Sequence, residues 1–149
     1  MLSYVVYFKK LFPTQSETTM ERNLRLVVSN PIPASVDPNY ADGYVAYQLY
    51  SRNSGVYVHE AGTRLSKQLK LTSLITLWDR FHDIVSQYNG KLEIRTMPDK
   101  DIVVWFSVPT SVSEDDFMKL LEQFKEALKI AEIITNPLDC KLKDGLRSV

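Results

Sequence analysis

Two stretches of this chain repeat apolar residues at steps of three and four, and several others alternate or run continuously apolar. In the first, Leu74, Leu77, Trp78, Phe81, Ile84, Val85 and Tyr88 make one stripe behind Thr72, which predicts an amphipathic helix capped by that threonine. Asn89-Gly90 is its stop, because glycine enters the left-handed conformation cheaply. Leu65 and Leu69 share the spacing, so the pattern also admits a start near Thr63. In the second, the stripe is Phe117, Leu120, Leu121, Phe124, Leu128, Ala131 and Ile134. Ser113 is its cap, Val112 and Phe117 have the spacing of a hydrophobic staple, and Asn136-Pro137 ends it. Glu114, Asp115 and Asp116 set negative charge at the positive end of the helix dipole.

Strand patterns flank both helices. Leu2–Phe12 is rich in Tyr, Val and Phe and stops at Pro13; Asn23–Ser29 reads as a second strand. Residues 31–43 carry Pro31, Pro33 and Pro38 and read as a connecting loop. Tyr44–Tyr50 and Val56–Glu60 then form a hairpin closed by a turn over Arg52–Gly55. Alternation puts Tyr44, Ala46, Gln48 and Tyr50 on one side and Val45, Tyr47 and Leu49 on the other. Closure would bring Tyr50 beside Tyr57 and Gln48 beside His59. A second hairpin has Lys91–Arg95, one face solvated, then a turn at Pro98-Asp99-Lys100. Its partner, Ile102–Val108, is apolar enough for a central strand covered on both faces. Residues 138–149 form a tail for which the pattern allows a short edge strand or a frayed end.

These elements predict a single α+β domain over residues 1–149. It is a two-layer structure with an antiparallel or mixed sheet of about six strands against two amphipathic helices. From Val56 onward the order is that of a ferredoxin-like βαββαβ unit. Many unrelated proteins share that order, so it carries no function by itself.

Composition changes the picture little. At 149 residues, with 44% hydrophobic and 24% charged residues, the chain is globular and long enough for one real core. Lysine and arginine balance aspartate and glutamate at 18 each, so no global field draws nucleic acid or anionic membrane. The lone Cys140 excludes an internal disulfide and fits a reducing, intracellular setting. Lys9 and Lys10 follow the apolar N-terminal run, the reverse of a signal peptide. No apolar run approaches the roughly 20 residues of a membrane helix, which predicts a soluble protein without a membrane partner.

Candidate chemistry is sparse. With five glycines, the chain lacks a phosphate-binding loop, a G-x-G-x-x-G, an H-E-x-x-H and a G-x-S-x-G. His59-Glu60 has the right residue types for acid–base work, but strand neighbours point to opposite faces. Asp79, His82 and Asp83 lie on one helix flank and are too few for a metal site. Asp99, Asp101 and Asp139-Cys140-Lys141 are similar to the Pro-Asp…Asp-x-Lys carboxylates of metal-dependent nucleases, with a long spacing and a turn where that pattern begins. Cys140 has only Lys141 and Lys143 nearby to favour a thiolate. No cofactor and no metal are expected.

The tyrosine-rich hairpin carries the leading expectation: a non-catalytic protein–protein interaction module, self-associating or bound to another protein. Tyr44, Gln48, Tyr50, Arg52, Tyr57 and His59 would be its contacts, since Tyr and Arg are enriched at interface cores. The alternative is a nucleic-acid-binding module in which the same tyrosines adjoin the basic run Arg64, Lys67 and Lys70. A third reading is a small enzyme centred on His59.

Overall fold

A computed structural model describes residues 32–53 and 55–142. The strands expected at 2–12 and 23–29 lie outside the described residues, as does most of the tail.

Within that span the chain folds as five strands in one sheet with helices packed on it. Strands β1 (Val45–Asn53) and β2 (Val56–Leu65) form the first hairpin. Helix α2 (Leu71–Ser86) follows, after a short α1 (Pro38–Ala41) that precedes β1. Strands β3 (Lys91–Thr96) and β4 (Ile102–Pro109) form the second hairpin, then come α3 (Glu114–Ile130) and β5 (Asp139–Lys141). The fold is therefore mixed α+β. The order across the sheet is β3-β4-β2-β1-β5, all antiparallel except β1 with β5. A ferredoxin-like order would pair β5 directly with β2. Here β1 stands between them, and the described sheet has five strands where about six were expected from the pattern.

Both stripes bury as their spacing requires. Leu77, Phe81 and Val85 of α2 and Phe117, Leu120, Leu121, Phe124 and Leu128 of α3 face the sheet. Between them Phe106 of β4 is the hub, its ring 5.0 Å from those of Phe81 and Phe124 and 5.6 Å from that of Phe117. β4 is covered on both faces, with Val104, Phe106 and Val108 toward the helices and Val103 and Trp105 away from them. Ser113 caps α3 by accepting the Asp116 N–H at 3.1 Å.

Helix boundaries follow tertiary contacts more than local signals. α2 starts at Leu71 with Lys70 in the cap position and no side-chain cap, while Thr76 and Thr72 bond within the helix. Thr63 and Leu65 belong to β2, so the earlier start is ruled out. At its end Asn89 takes the left-handed turn (φ 58°), not Gly90. Gly90 is small for another reason: a Cβ there would stand 2.5 Å from the Ser107 carbonyl oxygen. α3 stops at Ile130, short of Asn136-Pro137, because Glu132 turns left-handed (φ 59°) and sends Ile133 and Ile134 into the core.

The segment read as a loop at 31–43 is structured where it is described. A 3₁₀ turn over Ala34–Val36 runs into α1, whose first turn is set by Pro38 and by the Asp37 carboxylate accepting the Asn39 N–H at 2.8 Å. It lies on the sheet face opposite α2 and α3: Val36 packs on Val103 and Trp105, and Ala41 on Ala46 and Leu142. Arg64 fixes its height, bonding Asp101 at 2.8 Å, Asp99 at 2.9 Å and the Val36 carbonyl at 3.3 Å.

Candidate functional site

The hairpin of β1 and β2 does not alternate as a flat strand pair. Gln48 pairs with Glu60, yet Ser51 pairs with Val58, so one extra residue is accommodated around Leu49 and Tyr50. Tyr50 takes a left-handed φ of 51°, the geometry of a bulge. The phase of the strand shifts there. Gln48 and Ser51 face Glu60 on the side away from α2 and α3, while Tyr50 turns to the helix side and meets His59. Tyr57 is opposite Arg52, not Tyr50, and the strands run on to Asn53 and Val56, with Gly55 in the turn that precedes β2.

The shift divides the expected contact residues. Tyr50 and Tyr57 keep 55% and 56% of their surface exposed, and Tyr44 is exposed as well. Arg52 lies over the Tyr57 ring, 5.9 Å from its centroid, a cation–π contact. Gln48 and His59 are buried and point to opposite faces of the sheet, so the structure does not bring them together. Gln48 Oε1 finds no hydrogen-bond donor among the described residues.

Two buried polar groups organise this end of the sheet. On the far face Glu60 receives the Ser35 hydroxyl at 2.7 Å on one carboxylate oxygen and the Ser51 hydroxyl on the other. On the helix face His59 lies between Tyr50 and Phe117, with ring centroids 4.6 and 5.6 Å away. Its Nδ1 accepts the Tyr50 N–H at 3.1 Å, and its Nε2 is 3.1 Å from the Val112 carbonyl oxygen. Burial pushes its pKa below the usual histidine value, against the pull of the Val112 carbonyl and the Glu114 carboxylate. The Tyr50 hydroxyl reaches that carboxylate at 3.3 Å, and the negative charge of Glu114 pushes the phenol's pKa up.

Beside the hairpin tip, on the far face, is a concavity of about 670 Å³ along β2, β4 and β3. Val56 and Val58 border it; Trp105 and Ser107 line it, as do Lys91, Glu93 and Arg95 of β3. The Arg95 guanidinium lies 5.1 Å over the Trp105 ring. Burial lowers the Arg95 pKa, with Glu93 acting in the opposite direction. The alternation of Lys91, Glu93 and Arg95 predicts a solvated face, but only Lys91 is exposed: Glu93 is half-buried and Arg95 is buried against Trp105. What the pattern could not show is that β4 and β2 bend it into a hollow.

The basic run is not a continuous surface. Arg64 is buried and engaged by Asp99 and Asp101, whose charges outweigh the burial that would lower its pKa and raise it instead. Lys67 and Lys70 are exposed beyond the end of β2. The two turn aspartates thus hold a cation of the protein itself. Asp139 pairs with Lys125 at 3.3 Å. His82 stacks on Trp78 at 4.3 Å with its Nδ1 3.3 Å from Asp83, and among the described residues no three His, Cys, Asp or Glu side chains converge as metal ligands would. Cys140 is half-buried in β5. No helix among the described residues is long and apolar enough to cross a membrane. Comparison of the chain with protein-family models, with curated proteins and with solved structures finds no match.

Proposed function

We propose that this chain is a soluble, intracellular, non-catalytic protein-binding module, and that the tip of the β1–β2 hairpin with the adjoining concavity is its contact surface. One observation carries the reading. Tyr50, Val56 and Tyr57 leave over half of their surface exposed at one end of the sheet, next to a hollow floored by Trp105. A tyrosine with an arginine stacked on it presents a large, rigid area at little entropic cost, which is why such pairs concentrate in the centres of interfaces. The hollow would accept a protruding side chain of the partner, whether a second copy or another protein. Gln48 and His59 support this surface from beneath and do not touch the partner.

The test is comparative enrichment from an extract of the source cells. Tyr57→Ser should lose the proteins held by the unaltered chain, while Lys67→Ala, at the other end of β2, should keep them. Equal recovery with both variants would refute the surface. Self-association is read in the same proteins by native mass spectrometry. The nucleic-acid reading retains Lys67 and Lys70 as exposed cations and predicts oligonucleotide binding that falls steeply with salt.

A further inference from the structure

His59 joins two parts of the chain that strand pairing leaves separate: the bulge in β1 and the loop that leads into α3. A backbone N–H can only donate and a carbonyl can only accept. The nitrogen facing the Tyr50 N–H must therefore be bare, and the nitrogen facing the Val112 carbonyl must carry the ring's one proton. The surroundings admit a single tautomer of the neutral ring, fully buried between Tyr50 and Phe117. We infer that His59 is a proton-operated latch on the hairpin tip: a second proton, taken from solvent at Nδ1, sets N–H against the Tyr50 N–H, breaks that bond and parts the Tyr50 backbone from His59, leaving the Tyr50 hydroxyl on Glu114 as its tie to α3.

The charged and titratable neighbours fix the direction. Among the described residues, Tyr50 of β1 and Glu114 of α3 face the ring from the elements packed against it. Glu114 favours the charged ring; burial and the positive end of the α3 dipole oppose it, and burial prevails. The folded chain thus binds the proton less readily than the unfolded chain, whose histidine titrates near 6.5. The latch is fully shut above that value, and its contribution is lost as pH falls below it. Opening moves Tyr50, so the latch would regulate the contact surface proposed above; only this consequence rests on that reading.

The experiment is nitrogen-15 NMR of the full chain from about pH 7.5 to about pH 5, with His82→Gln leaving a single imidazole. At the neutral end the ring should show a bare Nδ1 and a protonated Nε2. On acidification the Tyr50 amide should shift together with the ring, and its exchange protection should fall by up to about tenfold per pH unit, while Phe106 in the core stays protected. His59→Asn, whose side-chain oxygen can accept the Tyr50 N–H without titrating, should abolish the response. An Nδ1-protonated ring at neutral pH, a Tyr50 amide that ignores the titration, or a response that survives in His59→Asn would overturn the latch. Should that variant not fold, the titration of the histidine-containing chain decides alone. Partner loss in Tyr57→Ser at pH 7.5 is a separate readout, so the latch and the surface can fail independently.

Discussion

Val36 presses on the backbone of Gly62 so closely that a Cβ added to the glycine would lie 2.5 Å from Val36 Cγ1 and 2.7 Å from the Trp105 Cβ. Gly62 has ordinary extended geometry, so it is there for space and not for a turn. Its bare backbone lets the 3₁₀ turn sit flat on the far face of the sheet.

Gly62→Ala should therefore lower stability by about 1–3 kcal/mol through overpacking. Denaturant unfolding measures this. Adding Val36→Ala should recover part of the loss, because the two positions share one contact. A strictly additive double mutant would mean that the strain is relieved elsewhere.

Arg64 links three segments, and its removal should be more costly than that of an ordinary surface cation. Arg64→Met leaves Asp101 and the Val36 carbonyl without their donor, a loss of about 1–3 kcal/mol for partly buried acceptors left unpaired. Thermal unfolding at neutral pH checks it. Lys67→Met, exposed beyond the end of β2, should change stability by no more than about 0.5 kcal/mol.

The sequence pattern and the structure agree where a signal is local and repeated. The stripes of α2 and α3, the Ser113 cap and the apolar run of β4 are such signals, since each is set by spacing along one element. They part where a single residue changes phase. One extra residue at Tyr50 moves its ring to the side of His59 and parts it from Gln48, and no alternation rule shows a bulge before the pairing is known. The 3₁₀ turn at Ala34–Val36 was hidden by its prolines, because what orders it is the sheet beneath and Arg64 beside it. Of the candidate surface, Tyr44, Tyr50, Arg52 and Tyr57 stood out by residue type, but alternation did not tell which face the helices cover; the hollow was not legible, because strands distant in sequence form it.

Ser113→Ala tests the cap of α3 directly. The variant loses the acceptor for the Asp116 N–H and should cost about 1 kcal/mol. Ser113→Asp should retain most of the stability, since aspartate caps equally well. The loss matters here because the α3 start also carries Val112 and Glu114, both partners of the hairpin.

The tail strand gives the last prediction. β5 is three residues long and joins β1 through Val45 N–H to the Leu138 carbonyl and Leu142 N–H to the Tyr47 carbonyl. Leu142 and Cys140 pack with Ala41 and Ala46, and Asp139 adds an ion pair with Lys125 of α3. Lys125→Met should accordingly speed amide exchange at Leu142 while leaving Phe106 unchanged. Burial disfavours the lysine's charge, but Asp139 and Glu122 outweigh it and push the pKa above the usual lysine value. A base with a raised folded-state pKa stabilises fully below its unfolded value, near 10.4, and loses that contribution as pH rises through the folded value. The β5 tie should hence be insensitive to acid over the range in which His59 gains its proton. Exchange protection at Leu142 that falls with that of Tyr50 on acidification would show that the two ends of β1 open as one unit, and would exclude an independent tail strand.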